Sequence, residues 1–340
     1  AGRTVSVASS HYLLSSPVSG TVLSTLLDPL WTQGMANADY AGGSANVWTW
    51  DGSVWNPVAD LATEPIAAGQ GVLVFVYGDT DFDGVADLPV EVSVNGLERT
   101  DDVQIPTVHR TDATGGDLTA GWNLTGNPFS YPIDTDLMGL GKVMNPGYDP
   151  VVYGYNPAIS DWESWNGEVG TLLGGEIPPY TGFLVRTTSE ASPALSIPAS
   201  ARVLDNQAKA VSSDLAQADL RADSQALRLT LEDPETGRSD DLFIQFSSSG
   251  GMASDPLDAP KLQSPSLKNR PLAASFAPAD PSTEGAGTLA HEIQHLPRPG
   301  VGEAAAAYSL PVSLLWLESA QGAGKSAEPL PFATAQAGDG

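Results

Sequence analysis

One block of sequence occurs twice in this chain. The first copy reads Tyr12-Leu-Leu-Ser-Ser-Pro17, then Val47-Trp-Thr-Trp50, then Ile66-Ala-Ala-Gly-Gln-Gly71-Val-Leu-Val74. The second reads Trp122-Asn-Leu-Thr-Gly-Asn-Pro128, then Val152-Tyr-Gly-Tyr155, then Ile177-Pro-Pro-Tyr-Thr-Gly182-Phe-Leu-Val185. Pro17 precedes Gly71 and Pro128 precedes Gly182 by the same 54 residues, although the loops between them differ. Matched order and spacing indicate a duplicated supersecondary unit, so any fold must house two similar bodies.

Each copy reads as β-structure. The aromatic residues of Val47–Trp50 and of 152–155 alternate with period two, which puts them on one face of a strand. Asp51-Gly52 is a turn signal before Val54-Trp55, so 47–55 is expected to be a hairpin. Gly71–Val76 and 182–185 are the apolar, β-branched runs of strands covered on both faces. Pro17 and Pro128 stop the first strand of each copy. The 35 Gly and 27 Pro among 340 residues argue the same way, since they favour short strands and turns over a helical bundle.

The texture changes after residue 200. Residues 201–225 are rich in Ala, Asp and Ser and read as a linker or arm. Four strand candidates follow at sandwich-like spacing: 226–231, 241–246, 289–296 and 308–317. The expected architecture is all-β: two related small β-units (1–105 and 106–200), the linker, then an antiparallel β-sandwich (226–340) that stops without a closing strand and reads as incomplete or processed. The expected role of the acidic loop 79–87 lies within the first unit.

Charge narrows the partners. With 15 basic and 41 acidic side chains the formal charge is −26, which repels nucleic acid and anionic lipid. The absence of cysteine removes disulfides, thiol catalysis and Cys-based zinc sites together. No apolar run reaches the roughly 20 residues of a membrane span.

Gly121-Trp-Asn-Leu-Thr-Gly-Asn-Pro128, followed by Ile-Pro-Pro-x-x-Gly-Phe-Leu-Val, resembles a GW-x-L-x-GNP … IPPGQGFFV pattern. That pattern recurs in large secreted surface proteins of Bacteroidota and their relatives. Asp258-Ala-Pro-Lys-Leu262, Leu272, His291-Glu-Ile-Gln-His-Leu-Pro297 and Leu310-Pro-Val-Ser-Leu314 resemble the β-sandwich that precedes a type IX secretion sorting domain in those proteins. The resemblance implies export and an extracellular or cell-surface location. It does not imply an enzyme.

Three sets of residues invite chemistry. Asp79-Thr-Asp81-Phe-Asp83-Gly84-Val-Ala-Asp87 has carboxylates at positions 1, 3, 5 and 9 and Gly at 6, the opening of a calcium loop, with Val90 where a bidentate Glu would stand. Calcium bound by Asp79, Asp81, Asp83 and Asp87 would offset crowded charge between two strands, 73–77 and 90–94. His291-Glu292-Ile-Gln-His295 matches the two-His zinc motif of metallopeptidases, but Pro297 and Pro299 would stop the helix it needs. On a strand, His291 and His295 would stand about 13 Å apart, too far to hold one ion. Trp162 and Trp165, in Ser160–Gly167, are the expected exposed pair if Trp48, Trp50, Trp55 and these two offer rings to a glycan.

These features describe a non-catalytic exported surface protein, a structural subunit of a filament or surface layer or an adhesin stalk. Its expected partners are copies of itself or other surface proteins, because short strands leave edges that a neighbour can pair. A carbohydrate-binding module of a larger secreted enzyme and a zinc metallopeptidase are the alternatives.

Overall fold

The computed structural model describes residues 2–111, 120–188, 194–204, 225–233, 238–247, 258–262, 272–276, 291–297 and 312–316. Most of the expected linker, 201–225, lies outside them. The all-β expectation holds: the described residues form short strands, one four-residue α-helix (Leu23–Leu26) and 3-10 turns.

Two four-stranded antiparallel sheets dominate. In the first, Ser10–Ser15 pairs with Gly71–Val76, which pairs with Val47–Trp50, which pairs with Trp55–Pro57. In the second, Trp122–Gly126, Gly182–Arg186, Val152–Asn156 and Asp161–Trp165 follow in the same order. The agreement extends to the periphery. Thr21–Val22 pairs with Pro65–Ile66 as Ile133–Asp134 pairs with Glu176–Ile177, and a short helix follows the first of each pair. Arg3–Val5 pairs with Val90–Val92 as Val103–Ile105 pairs with Leu195–Ile197. The two units therefore share one connectivity.

This pairing moves one boundary. Val103–Ile105 opens the second unit rather than closing the first, since its only ladder is with Leu195–Ile197 among the described residues. It also assigns the two strands that flank the acidic loop their partners. Val90–Val92 leaves Gly71–Val76 and pairs with the N-terminal strand, so the loop bridges two separate sheets.

The units meet around a pseudo-twofold axis. Leu14 bridges Thr181, and Thr125 bridges Gln70; each contact becomes the other when both residues move by the offset between Pro17 and Pro128. The same exchange relates Ser15 N donating to Tyr180 O at 3.0 Å and Gly126 N donating to Gly69 O at 2.7 Å. Such an isologous contact is the geometry of a twofold homodimer, built here within one chain. The corner residues match as well: Val18 N donates to Ser16 Oγ, and Phe129 N donates to Asn127 Oδ1.

Side chains fill three cores. The outer face of the first sheet buries Tyr12, Leu14, Val47, Val72 and Val74 against the loops from Leu23 to Leu61. The outer face of the second buries Phe129, Ile133, Phe183 and Val185. Between the sheets, Leu13, Trp48, Leu73, Trp122, Tyr153, Trp162 and Leu184 pack together and extend to Phe243 and Ile293 of the third unit. Trp122 is fully buried, its ring edge-on to Tyr153 at 5.0 Å. Trp50 Nε1 donates to the Trp122 carbonyl at 2.8 Å and ties the first sheet to the second.

In the third unit the four expected strands appear as Gln225–Asp233, Arg238–Ser247, His291–Pro297 and Val312–Trp316. With Leu272–Phe276 and Ala259–Pro260 they make one six-stranded sheet. The expectation of a purely antiparallel arrangement fails at one place, because His291–Pro297 runs parallel to Arg238–Ser247. Hydrophobic period sets which face a strand buries, not the direction of its neighbour.

Candidate functional site

The acidic loop is the strongest cluster of ligating groups among the described residues. One carboxylate oxygen from each of Asp79, Asp81 and Asp87 lies within 4.8 Å of the others. A calcium ion holds oxygens at about 2.3–2.6 Å, so ligands up to twice that distance apart can share one ion. The backbone explains the convergence. Gly84 N donates to Asp79 Oδ2 at 2.8 Å, Asp83 N to Asp81 Oδ1 at 3.1 Å, and Thr80 N and Oγ1 to Asp87 Oδ2 at 2.6 and 3.0 Å. Gly84, at φ +92°, makes the turn that an L side chain would strain. Each of the three carboxylates keeps a second oxygen, and Asp79 Oδ1 is buried with no hydrogen-bond partner.

Asp83 stands apart from this group. Its Oδ1 accepts from Val85 N at 2.8 Å, which closes the next turn. Position 9 of the loop therefore converges where position 5 does not. Sequence reasoning also missed Phe82. At φ +59° it projects from the loop onto Trp31, ring centroids 4.3 Å apart, and onto Tyr77 at 5.9 Å. An aromatic residue between two aspartates, in a loop otherwise of polar and small residues, is the signal that marks it.

The zinc reading finds a strand. His291–Pro297 is extended, with Ile293 buried against the inter-sheet core, so the two histidines sit four strand positions apart. Trp162 is also placed otherwise than expected. It is 4 % exposed and packs edge-on to Tyr155 at 5.3 Å, which leaves no ring face for a sugar. Trp165 is half-buried, its Nε1 donating to Asp136 Oδ1 at 2.8 Å. Trp48 and Trp55 are buried. Tryptophan in short strands fills cores because few other residues bury so much area.

A cleft of about 330 Å³ lies where Arg3 of the first unit faces Tyr155, Asn156, Glu163 and Glu176 of the second. Arg3 Nη1 donates to the carbonyls of Leu13 at 2.6 Å and Tyr180 at 3.4 Å, and the guanidinium lies 5.3 Å over the Tyr12 ring. Burial pulls its pKa down to about 10. The cation thus clamps the two units at the pseudo-twofold contact.

His11 carries a pH signature. It packs edge-on to Phe75 at 5.1 Å and near Trp48, and burial pulls its pKa from 6.5 to about 4. A base whose pKa falls on folding binds fewer protons folded than unfolded between those two values. Stability is therefore full above pH 6.5 and declines as pH falls toward 4, by about 3 kcal/mol. In His11→Phe this part of the decline disappears, as read from urea unfolding at pH 7 and pH 4.5; an unchanged difference between the two pH values refutes the assignment.

No protein-family model, curated protein or solved structure matches this chain.

Proposed function

We propose that the chain is a non-catalytic, exported surface protein that serves as a structural part of an extracellular assembly. The observation that carries this reading is how the chain uses its polar and aromatic side chains. Buried asparagines hold backbone: Asn46 Nδ2 donates to the carbonyls of Trp31 and Phe75, Asn127 Nδ2 to those of Tyr131 and Ile177, and Asn145 Nδ2 to those of Met138 and Ser196. Trp48, Trp55, Trp122 and Trp162 fill the space between the sheets. Side chains committed in this way stiffen a body of short strands, which suits a load-bearing or spacing role. The sequence resemblance to secreted surface proteins supports the location. Shearing of native cell surfaces, followed by electron microscopy and mass spectrometry of the released particles, is expected to find the chain in high-mass assemblies. Recovery solely as a free monomer would count against the reading.

Calcium belongs to the same proposal. The three converging carboxylates and the buried, partnerless Asp79 Oδ1 support an ion that offsets their repulsion and stiffens the loop against Trp31. Millimolar calcium is expected to raise the melting temperature over that in chelator. Asp81→Asn and Asp87→Asn each abolish the rise, and Asp83→Asn keeps it. No rise in the parent protein sinks the idea.

A further inference from the structure

The third unit ends its sheet on Gln225–Asp233, a nine-residue strand whose one ladder among the described residues is with Arg238–Ser247. The opposite edge of the same sheet, Val312–Trp316, has five residues, and two edges elsewhere are blunted. Trp55–Pro57 has three residues and ends in proline, and Ser10–Ser15 is buried under the second unit. Gln225–Asp233 contains no proline or glycine. An edge of this length presents alternate N–H and C=O groups to any strand that can approach, and natural proteins seldom leave such an edge unguarded without a use for it.

Its side chains specify what can approach. Leu227, Leu229 and Leu231 share one face, beside Ile244, Leu242 and Asp240 of the neighbouring strand. Leu227 is 48 % exposed and Leu229 38 %, whereas Leu242 is 2 %. The apolar stripe thus continues past the last strand into solvent. On the opposite face, Arg228 forks onto Asp241 at 2.8 and 2.5 Å, and Thr230 Oγ1 donates to the same carboxylate at 2.7 Å. Burial alone would raise the Asp241 pKa, but these donors outweigh it and hold it below the usual value. The strand is thereby pinned against its neighbour, and its other edge carries no ladder among the described residues.

We propose that this edge pairs antiparallel with the same edge of a second copy, centred on Leu229. The strand is self-complementary in that register: Leu227 meets Leu231 of the other copy, Leu229 meets Leu229, Arg228 meets Thr230, and Glu232 lies diagonal to Arg228. The contact is isologous and closes on a twofold axis, giving a dimer whose two third-unit sheets run into one. It rests on the structural-subunit reading and names one of its joints. With −26 formal charges per chain, the copies repel at low ionic strength, so salt promotes rather than weakens the dimer.

The chain has no cysteine, so one introduced thiol reports contact cleanly. Under mild oxidation, Leu229→Cys is expected to form a covalent dimer, Leu227→Cys alone to form little, and the Leu227→Cys, Leu231→Cys pair to cross-link again. Sedimentation of the parent protein is expected to show a dimer fraction that rises between 50 mM and 500 mM NaCl. Leu229→Lys removes it while tryptophan fluorescence and circular dichroism stay native. A parent protein that stays monomeric at every salt concentration, or a Leu229→Cys chain that stays monomeric under oxidation, overturns the proposal. If assemblies form from native material and Leu229→Lys still joins them, the joint is elsewhere and the structural reading stands without this edge.

Discussion

Trp122→Ala lowers the melting temperature of the two-unit body by on the order of 10 °C. Trp122 is fully buried between the sheets, stacks edge-on with Tyr153, and its backbone carbonyl receives the Trp50 indole. Truncating a buried tryptophan removes transfer free energy and leaves a cavity, at about 3–5 kcal/mol. In bodies of this size each kcal/mol moves the transition by about 2–4 °C. The cavity opens in the core shared by both units, so the whole transition shifts rather than one half of it. Circular dichroism melting checks this; a shift within 2 °C would mean that the core collapses onto the gap or that the units unfold independently.

Gly71→Ala costs about 3 kcal/mol, although alanine is an ordinary strand residue. A Cβ at Gly71 would lie 2.5 Å from the carbonyl oxygen of Thr125, and one at the facing Gly126 would lie 2.2 Å from Ser15 Cβ. Backbone and Cβ atoms cannot swing away as a long side chain can, so the pseudo-twofold contact must open, an overpacking cost of about 1–3 kcal/mol or more. Gly20 is the control. At φ +83° with nothing within 4 Å, Gly20→Ala strains only its own backbone, at about 1 kcal/mol. Urea unfolding of the two variants separates close approach from conformational strain. Equal midpoints would refute the tight inter-unit contact.

The legible parts of the fold were those encoded over a few residues. The hairpin of Val47–Trp50 with Trp55–Pro57 follows from alternating aromatics and an Asp-Gly turn, and Asp51 Oδ1 accepts from the N–H groups of Ser53 and Val54 as such a turn requires. The strand at His291–Pro297 follows from the prolines that exclude a helix. The matching blocks announced two like units, and the two sheets have like order. What failed involved partners distant in the chain. A three-residue strand such as Val103–Ile105 carries too little pattern to name Leu195–Ile197 as its mate, so the unit boundary was set too late.

The candidate site divides in the same way. Carboxylates at alternate positions before a glycine were enough to mark the acidic loop, but not to choose among them. Asp83 is drawn to Val85 N, and Asp87 folds back on Thr80, because local backbone donors compete for each carboxylate. Trp162 stands amid Ser, Asp and Glu in the sequence, yet it is buried in the core between the sheets, edge-on to Tyr155.

Local order, the choice of strand over helix, the turns and the doubling of the unit are written in neighbouring residues, because backbone sterics and side-chain period act over a few positions. How the doubled units face each other about an axis, which strand runs parallel, which tryptophans are sealed and which strand ends a sheet among the described residues emerged only from the folded chain. Those outcomes depend on surfaces that come together from far apart in sequence, where packing and hydrogen-bond geometry select among many pairings that the local pattern allows equally.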